Sequence, residues 1–157
     1  LVSMFLATYK GYDKIDMLVT SVTGVFAMGI ALFPCYSAAF QSQKVGVFQI
    51  YPSYSNVIHL TCAAVFFVLL SLNSIFLFTK TGAGGLGIQK IKRNRIYVLC
   101  GIIMLFCVAA IGASMAFLSS EQVDKYRIVL VCETVALFFF GVSWLVKGQA
   151  IFADKTK

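Results

Sequence analysis

Two side chains that can carry protons lie inside apolar stretches of this sequence. Glu133 is the one acidic residue well inside such a stretch, and His59 is the only histidine of the 157 residues. If the stretches are membrane helices, His59 lies about 4 Å and Glu133 about 9 Å from the same boundary, given the rise of an α-helix. Because a lone carboxylate in lipid costs roughly 2.5 kcal/mol or more, we expect Glu133 to face protein or water.

This predicted pair has two interpretations. A histidine and a carboxylate that face each other could relay protons, hold a ligand or act as acid and base. The alternative, which we favour, is a hydrogen bond that holds two helices together. Tyr36 and Tyr54 lie near the same boundary, so a ligand site in this half of the membrane would gather Glu133, His59, Tyr36 and Tyr54.

Three cysteines lie at a depth comparable to this pair. Cys62 follows His59 by three residues and shares its helix face, and Cys35 and Cys132 complete a set from which a metal site can be drawn. With a single histidine, no Cys-x-x-Cys and ligands from three helices, we predict no metal. Haem ligation by two histidines needs a second one, so no cofactor is expected. The cysteines are expected to pack as small apolar residues.

The elements that position these residues follow from composition. The chain is 60% hydrophobic and 12% charged, with a mean hydropathy of +0.89, which is more apolar surface than a soluble core of this length can bury. We therefore predict an all-α, polytopic transmembrane helical bundle in one domain, residues 1–157. Its four full spans are 17–39, 57–79, 96–118 and 128–146, and residues 1–8 are read as the end of a truncated N-terminal span.

A polar loop, residues 80–95, fixes the predicted orientation because it holds five of the thirteen basic residues. Placing it in the cytoplasm puts ten of the thirteen on that side, together with the C-terminus, as the positive-inside rule requires. The ten are Lys10, Lys14, Lys80, Lys90, Lys92, Arg93, Arg95, Lys147, Lys155 and Lys157. The remaining three, on the outer side, are Lys44, Lys125 and Arg127.

The same charge distribution bears on partners. A net charge of +7 would suggest nucleic acid in a soluble domain, but these basic residues flank apolar runs and are explained by topology, so no nucleic acid is expected. Membrane lipids are the expected partners, and the anionic headgroup ligands would be Lys90, Lys92, Arg93 and Arg95. Small residues in the span 96–118 would also permit packing against other membrane subunits.

Four short patches carry a family resemblance. They are Tyr9-Lys-Gly-Tyr-Asp, Gly29-Ile-Ala-Leu-Phe-Pro, Arg93-Asn-Arg-Ile-Tyr and the stretch from Glu133-Thr-Val-Ala-Leu-Phe to Trp144-Leu-Val-Lys-Gly. With these patches the chain resembles a group of small bacterial inner-membrane proteins of about six spans with no assigned activity. The resemblance implies that one or two N-terminal spans precede this chain. It also implies that an acidic residue in the last span and a histidine in the middle span recur among the members of that group. In this chain they correspond to Glu133 and His59.

Three functions remain open from the sequence. We favour a non-enzymatic accessory or ligand-binding helical bundle. The second is a membrane-embedded enzyme that acts on a lipid or quinone-like substrate with Glu133 and His59 as acid and base. The third is a small transporter, which a water-filled path between Glu133 and Asn73 would favour.

Overall fold

The computed structural model describes residues 2–9, 11, 13–35, 43–81 and 87–152. These residues form an all-α structure, which confirms the predicted fold class, and their only β pairing is an isolated bridge between Val45 and Ile50. Tyr36, the last part of the predicted span 17–39, the middle of the loop 80–95 and the end of the C-terminal tail lie outside the described residues. The chain divides into two compact units, unit 1 with residues 1–69 and unit 2 with residues 70–157.

Six helices are described. They are α1 (Val2–Thr8), α2 (Lys14–Leu32), α3 (Pro52–Leu72, continued by a π-helical turn Asn73–Leu77), α4 (Ile88–Phe117), α5 (Ser120–Lys125) and α6 (Ile128–Lys147). Four of them, α2, α3 with its π-helical turn, α4 and α6, are long and apolar enough to cross a membrane. The chain is therefore a multi-pass membrane protein.

The helices begin and end at positions that hydropathy does not mark. The helix α4 begins at Ile88, although the apolar run begins at Ile96. The intervening lysines, arginines and glutamine are good helix formers, so the backbone hydrogen bonds continue past the edge of the apolar run. The helix α2 ends at Leu32 because Pro34, two residues later, cannot donate a backbone hydrogen bond.

In unit 1, α2 begins with an acidic cap. The Asp13 side chain accepts a hydrogen bond of 2.9 Å from the Asp16 backbone nitrogen. Asp16 itself lies in the first turn, where the helix dipole favours a negative charge, and only 1% of its surface is exposed. Further along, Gly24 lets α1 approach closely, since a Cβ there would lie 2.8 Å from the Ser3 carbonyl oxygen.

In unit 2, one serine connects three helices. Phe78 donates its backbone N–H to the Asn73 carbonyl over 3.0 Å, which closes the wide π-helical turn, and Ser74 lies buried within that turn. The Ser74 hydroxyl donates to the Tyr97 carbonyl of α4 over 2.8 Å and contacts the Ser143 hydroxyl of α6 over 2.7 Å. Because Ser74 has one hydroxyl proton, Ser143 is the donor in the second bond.

A glycine below this connection allows α4 to approach the end of α3. A Cβ built on Gly101 would overlap the Ile75 side chain and lie 3.0 Å from the Ser71 carbonyl oxygen. Ser71 and Gly101 are both buried. The close contact therefore depends on the missing side chain at Gly101.

Aromatic and basic residues gather at one end of unit 2. The Phe78 ring makes edge contacts with Tyr97 and Trp144, at centroid distances of 5.6 and 5.0 Å. Lys147 Nζ lies 5.3 Å from the centre of the Phe78 ring, and Lys90 donates to the Phe78 carbonyl over 2.9 Å. The start of α4 and the end of α6 therefore lie at the same end of unit 2.

Candidate functional site

Glu133 lies on α6, half-buried, beside an open cavity of about 260 Å³ in unit 2. The cavity is formed where the short helix α5 turns into α6, and we call it the α5–α6 cavity. Its lining residues are Val123, Asp124, Arg127, Val129, Leu130 and Glu133. The cavity also places a cation, Arg127, and a second carboxylate, Asp124, beside Glu133.

The local sequence determines the turn between α5 and α6. Ser119 begins α5 with a capping box: its side chain accepts from the Gln122 backbone, while the Gln122 side chain accepts from the Ser119 backbone. The helix then ends at a turn in which Arg127 adopts the left-handed conformation, with φ 49° and ψ 38°. Val129 and Glu133 are four residues apart on α6 and therefore share the helix face toward the cavity.

The polar groups of the cavity have a defined chemistry. Asp124 and Glu133 are acceptors when ionised, and the Arg127 guanidinium is a donor with a fixed positive charge. Asp124 and Arg127 are exposed, whereas Glu133 is half-buried. A molecule that offers ammonium or hydroxyl donors can therefore bind the two carboxylates, and an anionic group on the same molecule can bind Arg127.

His59 has a structural partner in unit 1. Its Nδ1 lies 2.7 Å from the carbonyl oxygen of Phe33, the residue that caps the end of α2. Because a carbonyl oxygen only accepts, Nδ1 carries the proton and donates. Nε2 is the ring nitrogen that takes no part in this bond. The Ser55 hydroxyl donates to the neighbouring Pro34 carbonyl over 2.8 Å. Two side chains near the start of α3 therefore donate to two backbone carbonyls that follow the end of α2.

The other predicted ligand residues are placed apart. Tyr54 lies on the first turn of α3 in unit 1 and has 68% of its surface exposed. Tyr36 is outside the described residues. His59 belongs to unit 1 and Glu133 to unit 2, so their contact stays a prediction.

The cysteines proposed as weak metal ligands have other contacts. The Cys35 thiol donates to Asn56 Oδ1 over 3.2 Å, and Cys62 is half-buried within α3. In unit 2, Cys132 of α6 is hydrogen-bonded to Cys107 of α4. Within the described ranges, no three His, Cys, Asp or Glu side chains come together as a metal site.

The four basic residues predicted to contact headgroups differ in their surroundings. Lys90 is half-buried and also lies 5.6 Å from the centre of the Tyr97 ring. Arg93 is 5% exposed and donates from Nη1 to the Phe152 carbonyl over 2.7 Å. Lys92 and Arg95, in contrast, are exposed. Two of the four therefore hold the fold together at this end of unit 2.

Sequence reasoning missed Asp124 and Arg127 as neighbours of Glu133. It placed them in a short outer turn, although the capping-box spacing of Ser119 and Gln122 was a signal for the helix α5. Asp16 lies outside the predicted spans 1–8 and 17–39, whereas the structure buries this carboxylate in the first turn of α2.

Comparison with known proteins finds no matching family model, no matching curated protein and no matching solved structure. The function of this multi-pass membrane protein therefore has to be inferred from the geometry of its own residues.

Proposed function

We propose that this protein is a non-enzymatic, ligand-binding helical bundle of the membrane, and that its ligand binds in the α5–α6 cavity through Glu133. The supporting observation is that Glu133 borders an open volume of about 260 Å³ together with Arg127 and Asp124. A carboxylate that served helix packing alone would be enclosed, as Asp16 is with 1% exposure. The space beside Glu133 is instead large enough for a small polar molecule.

The chemistry of the cavity limits the class of ligand. Two carboxylates and one guanidinium give the three polar side chains a formal charge of minus one when all are ionised. The ligand therefore carries an ammonium or several hydroxyl groups for Glu133 and Asp124. An anionic group that faces Arg127 would add affinity.

Binding is favoured over the two alternative functions by particular contacts. Acid and base catalysis by Glu133 and His59 would have to use His59 Nε2 alone, because Nδ1 is committed to the Phe33 carbonyl. Transport along a wet path from Glu133 to Asn73 is disfavoured, because Asn73 is only 3% exposed.

The proposed location is the bacterial inner membrane, with the loop 80–95 and the C-terminus in the cytoplasm. The support is the excess of basic residues on that side in the sequence. Lys90 and Lys147, which both contact Phe78 at one end of unit 2, are consistent with this orientation.

The test is the content of co-purified small molecules. The full chain is purified from membranes in mild detergent as wild type and as Glu133→Gln, and small molecules are extracted and quantified by mass spectrometry. Glu133→Gln keeps the size of the side chain and removes its charge. We expect at least one polar amine or polyol whose amount per protein falls about tenfold in the variant, as the loss of a charge-assisted hydrogen bond predicts.

Glu121→Gln is the matched control, because Glu121 is an exposed carboxylate on α5 and does not line the cavity. It should retain the molecule in full. An identical set of molecules in equal amounts in wild type and Glu133→Gln would contradict the proposal.

A further inference from the structure

A second open volume lies along the surface of α4. This groove has a volume of about 530 Å³, within the range of roughly 300–1,000 Å³ that is usual for small-molecule sites. We call it the α4 groove. Its lining residues are Ile91, Asn94, Arg95, Val98, Leu99 and Ile102, none of which lines the α5–α6 cavity.

The α4 groove crosses the boundary between polar and apolar sequence. Asn94 and Arg95 form its polar end, directly before the apolar run that begins at Ile96, and Leu99 and Ile102 form its apolar end. From Arg95 to Ile102 the helix rises about 10 Å, which is less than the roughly 15 Å of hydrocarbon in one leaflet. Its length therefore suits a molecule with its polar group at the interface and its apolar part within one leaflet.

The polar end of the groove carries a positive charge, and no acidic residue lies near it in the sequence. No Asp or Glu occurs between Met17 and Ser120, so α4 contains none. Arg95 lines the groove, and Lys92 is exposed one turn before it. An exposed arginine without a carboxylate on its own helix attracts anions, and its planar donors match a phosphate group.

The neighbouring basic residues are engaged elsewhere. Lys90 donates to the Phe78 carbonyl, and Arg93 donates to the Phe152 carbonyl. This distribution singles out Arg95 as the cation that faces the open volume.

We propose that the α4 groove binds one anionic glycerophospholipid from the surrounding membrane. The lipid phosphate binds the Arg95 guanidinium, and Lys92 adds positive charge beside the headgroup. One acyl chain lies along Val98, Leu99 and Ile102, whose side chains are exposed and apolar. This site is independent of the ligand proposed for Glu133.

The test measures lipid binding to the purified full chain by native mass spectrometry during titration with phosphatidylglycerol. Phosphatidylcholine with the same acyl chains is the comparison lipid, because its headgroup has no net charge. We expect tighter binding of phosphatidylglycerol. Arg95→Gln should weaken it about fivefold, the loss expected for one basic residue near the membrane surface, while Lys125→Gln at an exposed site on α5 should not change it.

A second pair of variants tests the apolar half of the groove. Leu99→Ser changes a lining residue, and Phe106→Ser changes an exposed apolar residue of α4 that does not line the groove. We expect Leu99→Ser to weaken phosphatidylglycerol binding and Phe106→Ser to leave it unchanged. This pair also separates loss of the site from a general loss of apolar surface.

Several results would overturn the proposal. Equal binding of the two lipids, or no effect of Arg95→Gln, would contradict the proposed contact between the lipid phosphate and Arg95. Competition by glycerol phosphate at the same concentration as the lipid would identify a site for a soluble anion. A dimer that Leu99→Ser dissociates would identify a second copy of the chain as the occupant of the groove.

Discussion

At the scale of single residues, the histidine that suggested proton chemistry has a structural contact. His59 Nδ1 donates to the Phe33 carbonyl over 2.7 Å, at the end of a helix where backbone carbonyls have no partner within the helix. In a membrane such a carbonyl cannot rely on water, so a side-chain donor from a neighbouring helix is valuable. This contact joins α3 to the end of α2 and is a different bond from the predicted one between His59 and Glu133, which stays a prediction.

Two substitutions of His59 separate this role from acid and base chemistry. His59→Leu removes the donor and leaves the Phe33 carbonyl unpaired, so we expect a loss of about 1–3 kcal/mol in the free energy of unfolding. His59→Asn keeps an N–H on the atom bonded to Cγ, as in Nδ1, and should retain most of the stability. The measurement is unfolding of the full chain in detergent. Equal losses in both variants would refute the hydrogen-bond role.

The sequence identified Glu133 but not its neighbours, for a physical reason. A carboxylate within an apolar run is conspicuous, because hydropathy alone makes it costly. Asp124 and Arg127 reach the same cavity only through a left-handed residue at Arg127, with φ 49°. Neither glycine nor asparagine marks that turn, so its geometry could not be predicted from residue types.

At the scale of elements, α3, α4 and α6 are joined by small and polar groups in addition to the rings of Phe78, Tyr97 and Trp144. Ser74 bonds to both the Tyr97 carbonyl and Ser143, and Gly101 permits the close approach at Ser71. Lipid tails are as apolar as leucine, so helix association in membranes depends on such close packing and on interhelical hydrogen bonds. The Ser74 hydroxyl therefore holds α4 and α6 at the end of α3.

Gly101 offers a direct test of this packing. In Gly101→Ala the new Cβ would overlap the Ile75 side chain and approach the Ser71 carbonyl, and overpacking of this kind costs about 1–3 kcal/mol. Gly112→Ala on the same helix is the control, because no atom lies within 4 Å of a Cβ at that position. We expect a lower melting temperature in detergent for Gly101→Ala, and no loss for Gly112→Ala, whose helix propensity improves. Equal melting temperatures would show that α4 can shift away.

The existence of the spans could be predicted, because a long apolar run in a membrane has few alternatives to forming a helix. Their ends could not, because backbone hydrogen bonding continues through polar helix formers, as at Ile88–Arg95. The π-helical turn Asn73–Leu77 also has no sequence signal that differs from an α-helix. Its wide turn contains Ser74, so the side chain that joins three helices depends on a local backbone feature.

At the scale of the whole molecule, charge is divided along the chain. The acidic residues are confined to positions 13–16 and 121–154, while every charged residue in the range 17–120 is basic. Lys90, through the Phe78 carbonyl, and Lys147, over the Phe78 ring, lie at one end of unit 2, and α5 with Glu121 follows the opposite end of α4. Because basic flanks are retained in the cytoplasm, this arrangement predicts the sidedness of the protein.

Sidedness is tested with a membrane-impermeant maleimide on Lys92→Cys and Glu121→Cys, two exposed positions at the two ends of α4. Both are made in a Cys35→Ser background, since Cys35 is the exposed one of the five native cysteines. In intact cells we expect Glu121→Cys to react and Lys92→Cys to react only after permeabilisation. The reason is that translocating the cluster of basic residues around Lys92 would violate the charge bias of the chain. The background chain without either substitution gives the baseline. Labelling of Lys92→Cys from outside would show that the topology is the reverse of the predicted one.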